Sequence, residues 1–119
     1  MDRQDLGRFG EERAARWLRW RGYRILERNY RCRQGEIDII ASRGKYLCFV
    51  EVKLRKDKSH GEAREFVTPM KQRRVIAAAQ LWLSEHETDR QPRFDVIEVY
   101  APRGPEGSVS VELIEDAFM

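Results

Sequence analysis

Two short stretches of the chain place ionisable side chains inside apolar runs: Gly35-Glu36-Ile37-Asp38-Ile39-Ile40-Ala41 and, after a turn, Phe49-Val50-Glu51-Val52-Lys53. A carboxylate or ammonium withdrawn from water loses several kcal/mol (roughly) unless it is paired or bound to a metal. Two carboxylates and an ammonium brought together suit a site that holds a divalent cation and hydrolyses a phosphodiester. Magnesium takes oxygen ligands, commonly one or two protein carboxylates plus water and substrate phosphate oxygens. Such an ion offsets the repulsion between the carboxylates, polarises the phosphoryl group and lowers the pKa of an attacking water. A nearby lysine can orient that water or stabilise the charge building on the phosphate.

The elements must bring these groups to one place. In a strand, alternate residues share a face. Over residues 36–42, Glu36, Asp38, Ile40 and Ser42 then point one way and Ile37, Ile39 and Ala41 the other. Over residues 46–54, with Arg55 following in phase, Leu47, Phe49, Glu51, Lys53 and Arg55 share a face, opposite Cys48, Val50, Val52 and Leu54. The central Arg43-Gly44 of Ser42-Arg43-Gly44-Lys45 fits a tight hairpin turn. Folding about it sets Asp38 opposite Glu51 or one step away, at cross-strand distances of ~5 to ~8 Å. Lys53 follows in phase. The alternative for the trio is an ion-paired couple of strands on a solvated sheet face.

A third carboxylate comes from a helix expected over residues 5–21, whose broad apolar face holds Leu6, Phe9, Gly10, Ala14, Trp17, Leu18 and Trp20. Glu11 lies at the edge of that face and can lean over the sheet, whereas Glu12 points to solvent. For Glu11 the alternative is an i,i+4 partner in an Arg-rich helix. Gly22 ends the helix. A strand follows over Tyr23–Tyr30, then a loop over Cys32–Gly35. Residues 55–67 are polar and predict a mobile loop. Thr68-Pro69 starts a second helix, which runs to about Glu85. Strands over 93–101 and 108–114 flank the turn Gly104-Pro105-Glu106-Gly107. The order α-β-β-β-α-β-β implies an α/β domain with a mixed central sheet flanked by helices.

The 119 residues suit one domain, and no apolar run approaches the length of a bilayer span. Cys32 and Cys48 have no metal-ligand spacing, which together with the missing secretory layout points to a reduced, cytoplasmic protein. The net charge of +3 hides an asymmetry. Residues 1–58 carry 16 Lys and Arg against 9 Asp and Glu, residues 59–119 carry 7 against 11, and Arg outnumbers Lys 18 to 5. A basic, arginine-rich half favours a polyanionic partner. Arg55, Lys71, Arg73 and Arg74 are placed for phosphate contacts, with surface charge as the alternative. Asp95 reads as a structural partner for an arginine. Trp17, Trp20 and Trp82 read as core, and His60 and His86 stand alone.

Asp38 followed across a hairpin by Glu51-Val52-Lys53 resembles the PD-(D/E)xK nuclease superfamily, which includes restriction endonucleases and archaeal Holliday-junction resolvases; Ile37 stands where that superfamily often has proline. More closely, several segments between residues 7 and 100 resemble the YraN-like family of bacterial proteins. They are Gly10-Glu11, Gly22-Tyr23-Arg24-Ile25-Leu26, Arg28-Asn29-Tyr30-Arg31, the two strand motifs with Arg55, Lys71, and Arg93-Phe94-Asp95-Val96. The resemblance implies a restriction endonuclease-like fold and a Mg²⁺- or Mn²⁺-dependent nuclease acting on nucleic acid, in particular DNA. Asp38, Glu51 and Glu11 would hold the metal, Lys53 would act in catalysis, and Arg55, Lys71 and Arg74 would bind the nucleic acid. Small size favours recognition of a nucleic-acid structure over a defined sequence, and a two-fold dimer would suit a junction. The alternative is a non-catalytic nucleic-acid-binding module of the same fold.

Overall fold

The computed structural model describes residues 2–56 and 67–118. Helix α1 covers Arg3–Trp20, beginning earlier than its apolar pattern because the Asp2 side chain caps it by accepting from the Asp5 backbone N–H at 2.8 Å. It ends on Gly22, whose φ of 89° lets Gly22 N–H reach Arg19 O and Tyr23 N–H reach Leu18 O. Strands β1 (Arg24–Cys32), β2 (Gly35–Arg43) and β3 (Tyr46–Arg55) follow. The β1–β2 connection is shorter than the expected loop, because Cys32 and Gly35 already pair. In the β2–β3 turn the central residues are Gly44-Lys45 rather than Arg43-Gly44, since Arg43 pairs with Tyr46 and Gly44 supplies the positive φ of 57°.

Helix α2 spans Pro69–Glu85, with Thr68 accepting from the Lys71 backbone N–H at 3.2 Å as N-cap. Strands β4 (Gln91–Tyr100) and β5 (Ser110–Ile114) complete one mixed sheet of order β1-β2-β3-β4-β5, in which only β3 and β4 are parallel. The chain is thus α/β in the expected order. Residues 57–66, with His60 and most of the anticipated mobile loop, lie outside the described residues. Among those described, no helix is long and apolar enough to cross a membrane.

Each helix covers one face of the sheet. On the α1 side, Ala14, Ala15 and Leu18 pack on Ile39, Ala41, Cys48, Val50, Ile97 and Val99. On the α2 side, Val75, Ala78, Ala79 and Trp82 pack on Ile37, Ile40, Leu47, Phe49 and Phe94. The Phe49 ring meets Trp82 edge-on at 6.0 Å and stacks with Phe94 at 5.4 Å. The Trp82 indole N–H donates to Glu27 at 3.0 Å. Trp82 is core as expected, and Trp17 is half-buried beneath the Arg21 guanidinium at 4.6 Å. Trp20 is not core: it stands 88% exposed, because it lies about 200° round the helix from the buried Leu18, on the side of the exposed Arg16. Both cysteines are free, and burial, followed by the charge of Asp95, pushes the Cys48 thiol up to about 12.

Strand alternation holds along β3 but breaks in β2. Ile37 packs on the α2 side with Ile40, whereas Ile39 and Ala41 pack on the α1 side, so the expected grouping of Ile37 with Ile39 fails at Asp38. Opposite Asp38 stands Asn29, with a positive φ of 52°. The β1–β2 ribbon therefore turns over at this pair, and residues beyond it change face. Just past the turnover, Gly35 meets α2 so closely that an added Cβ would stand 2.5 Å from the Arg74 carbonyl oxygen. Replacing Gly35 with Ala should destabilise the protein by about 1–3 kcal/mol, in line with overpacking at a rigid contact. The matched control, Gly7→Ala, meets nothing within 4 Å and should leave stability equal or slightly higher, as chemical denaturation of both variants would reveal.

Candidate metal centre

The β2–β3 ladder runs from Arg43↔Tyr46 to Ile39↔Val50 and stops there. The next pair in register would be Asp38 and Glu51. Instead of continuing the ladder, the Asp38 carboxylate accepts the Val52 backbone N–H through Oδ2 at 2.8 Å. The side chain thus wedges between strands that have begun to part, satisfies a donor that lost its carbonyl, and leaves Oδ1 for another partner. Glu51 lies on the α2 side of β3, in phase with Leu47 and Phe49, and is only 4% exposed. Its Oε1 stands 3.4 Å from Lys71 Nζ and 3.9 Å from Lys53 Nζ. Its Oε2 is buried and has no hydrogen-bond partner among the described residues.

Electrostatics mark the pair. Desolvation, then the Glu51 charge, pushes the Asp38 carboxyl up to about 7, with Glu11 adding to the rise and the Val52 N–H and Lys71 opposing it. Burial also raises Glu51, against the pull of Lys71 and Lys53. Two acids held in poor solvent, one with an orphaned oxygen, need positive charge that the lysines only partly supply. A hard divalent cation fits this donor set, using carboxylate oxygens from Asp38 and Glu51. Among the described residues no group of three or more Asp, Glu, His or Cys forms a metal-binding cluster.

The remaining expected residues divide. Glu11 is half-buried and close enough to act on the charge of Asp38, while Glu12 is exposed and binds Arg28 at 2.9 Å. Lys53 projects toward Glu51. Lys71 does more than lie on the surface: from the first turn of α2 it bridges Glu51 and, at 3.7 Å, Glu36. Glu36 also faces Arg31 at 3.4 Å, which makes it an outer member of the same charge network. Arg73 and Arg74 are exposed on α2. Arg55, expected at a phosphate, is instead 9% exposed and bound to the buried Glu98 at 2.6 Å. Strand pairing explains that change, since the parallel partner β4 supplies an acid beside it. Asp95 is an arginine's structural partner: Arg93 donates to it from both Nε and Nη2, and the Asp116 N–H adds a bond at 2.9 Å.

Sequence reasoning did not foresee the Val52 N–H contact or the bridging position of Lys71. The first depends on where a ladder stops, which no residue type announces. The second had a signal, a lysine two residues beyond a Thr-Pro helix start, but its direction depends on how α2 crosses the sheet.

Similarity to other proteins places the chain in a family. The profile described as "Uncharacterised protein family UPF0102" matches residues 10–99. The chain belongs to the uncharacterised protein family UPF0102. A UPF0102 protein of Pelobacter propionicus is 48% identical over 120 residues, covering 98% of this chain and 84% of that protein. One from Prosthecochloris aestuarii is 48% identical over 118 residues, with 96% and 93% covered. One from Syntrophotalea carbinolica reaches 51% over 108 residues, with 90% and 87% covered. The names of these UPF0102 relatives state no activity. The matched span contains Glu11, Asp38, Glu51, Lys53 and Lys71, the charged groups at the carboxylate fork where β2 and β3 part.

The raised Asp38 value has a consequence for stability. A carboxyl whose folded pKa exceeds its unfolded one holds its proton more tightly in the folded state. Its contribution is therefore fully present at low pH and is lost as the pH rises from about 4 to about 7. In chelator, Asp38→Asn keeps an acceptor for Val52 N–H and removes the ionisation. It should melt roughly 5 °C or more above wild type at about pH 8, and the gap should close near pH 4. An equal offset at both values would show that Asp38 is not ionising against burial.

Proposed function

We propose that this UPF0102 chain is a metal-dependent endonuclease of restriction endonuclease-like architecture, acting on DNA and selecting structure rather than a defined sequence. The observation that carries the reading is the buried Oε2 of Glu51, unpartnered among the described residues, next in register to a wedged, half-buried Asp38. Asp38 and Glu51 would hold Mg²⁺ or Mn²⁺, and the bound ion would supply Lewis-acid polarisation of the scissile phosphate and a more acidic water. Lys53, in phase with Glu51, is positioned to orient that water or to meet charge growing on the phosphate oxygens. Glu11 adds negative potential from the other face. Arg73 and Arg74, exposed on the helix that carries Lys71, supply phosphate contacts that hold the backbone without reading bases.

One observation favours a second reading. The Lys71 ammonium already stands 3.4 Å from Glu51 and partly compensates the acid pair without any ion. The same fold could then be a nucleic-acid-binding module that cuts nothing.

The two readings part in experiment. With Mn²⁺, the wild-type protein should cleave single-stranded, flapped or four-way DNA, and Asp38→Asn or Lys53→Ala should lower the rate by roughly 10²-fold or more. Equal cleavage by wild type and Lys53→Ala sinks the enzyme reading. In calorimetry, Mn²⁺ binding should vanish in Asp38→Asn and tighten in Lys71→Met, which loses the competing ammonium. Salt-dependent DNA binding that needs no metal and survives Asp38→Asn, without cleavage, would establish the module instead.

A further inference from the structure

A second charged surface lies away from the carboxylate fork, at the C-terminal end of α1. From residue 13 to residue 26 the chain carries five arginines and no acid. Arg16, Arg19, Arg21 and Arg24 are exposed, as is Arg43, whose Nε would lie 3.8 Å from a Cβ on Gly22. None of these five takes part in a salt bridge among the described residues. In their midst stands Trp20, 88% exposed. Arg16 and Trp20 are one helical turn apart and so are surface neighbours.

The bland account of the arginines is incomplete. Cations near a helix C-terminus are favoured by the helix dipole, which accounts for Arg19 and Arg21. It does not account for Arg24 and Arg43, which belong to β1 and β2. It also gives no reason for a bare indole. Trp17, one turn earlier in register, is half-buried and covered by Arg21, and Trp82 is core, whereas Trp20 is 88% exposed and no cation lies over its ring among the described residues.

We infer that Trp20 and the surrounding arginines form a binding surface for single-stranded nucleic acid, in which the indole stacks on an unpaired base and the guanidinium groups hold flanking phosphates. The complementarity is chemical: a planar apolar face ringed by guanidinium groups that form no salt bridge among the described residues matches a chain of bases linked by anions. A blunt duplex keeps its base faces inside the stack and offers the indole nothing. Trp20 lies nine residues beyond Glu11, about 14 Å along the axis and half a turn round the helix. The surface is thus a holding site separate from the fork, and it deepens the proposed nuclease reading by specifying substrates with unpaired nucleotides.

The test measures binding in chelator, where cleavage does not intervene. Anisotropy of a labelled oligothymidylate and of a blunt duplex is followed with wild type, Trp20→Ala and Trp20→Phe. Trp20→Ala should weaken oligothymidylate binding at least about fivefold, change duplex binding less than about twofold, and be largely rescued by Trp20→Phe. An unchanged affinity in Trp20→Ala, or an equal loss on both DNAs, overturns the stacking surface while leaving the fork reading intact. Cleavage of DNA by a protein indifferent to Trp20 has the same meaning. If wild type binds neither DNA but binds vesicles of anionic phospholipid, the surface serves a membrane and this inference fails. Melting temperatures of the variants serve as the folding control, and the exposure of Trp20 predicts that they match wild type.

Discussion

One backbone N–H organises the site. Val52 would normally donate to a carbonyl of β2, but the ladder ends one pair earlier and the Asp38 side chain takes the carbonyl's place. An unsatisfied buried donor costs about 1–3 kcal/mol, so the strands can part only because an acid stands at that point. That substitution holds Asp38 in poor solvent near the charge of Glu51, and burial with that charge raises its pKa against the pull of the Val52 N–H. The parting also lets groups from both faces act on the same point. Glu11 comes from α1, and Lys71 from α2.

The helices reach the fork because the sheet permits close approach where they cross it. Gly35 leaves room for the Arg74 carbonyl, and Gly10 faces Val52 and Leu54, where even an added Cβ would stand at ordinary contact distance. Farther along β3, the Arg55–Glu98 pair ties that strand to β4 beyond the point where β2 has left it. Breaking a buried pair by removing one partner is strongly destabilising, so this contact fixes the strand that carries Glu51 and Lys53.

Much of this was readable in the residues. The period of two along β3 put Glu51 and Lys53 on one face, the helical wheel separated Glu11 from Glu12, and Thr68-Pro69 marked the start of α2. What escaped was tertiary in origin. Ile37 changes face because Asn29 adopts a left-handed φ across from Asp38, and strict alternation contains no such event. Arg55 could be read as a phosphate ligand until the parallel register brought Glu98 beside it. Trp20 was grouped with the core residues, but the buried stripe of α1 through Gly10, Ala14 and Leu18 is narrower than the apolar face drawn for it, and Trp20 falls outside it beside Arg16.

The sheet's connectivity bears on how the site assembles. Asp38 and Glu51 belong to a hairpin closed by a two-residue turn, so their strands meet through a short loop with little loss of chain entropy. Lys71 arrives on a helix outside that hairpin, and the parallel β3–β4 pairing joins residues about 45 apart in the chain, as in Tyr46↔Gln91. The hairpin thus brings the two acids together with Lys53, which it also carries, whereas Lys71, the nearer cation to Glu51, joins them only when α2 docks on the sheet.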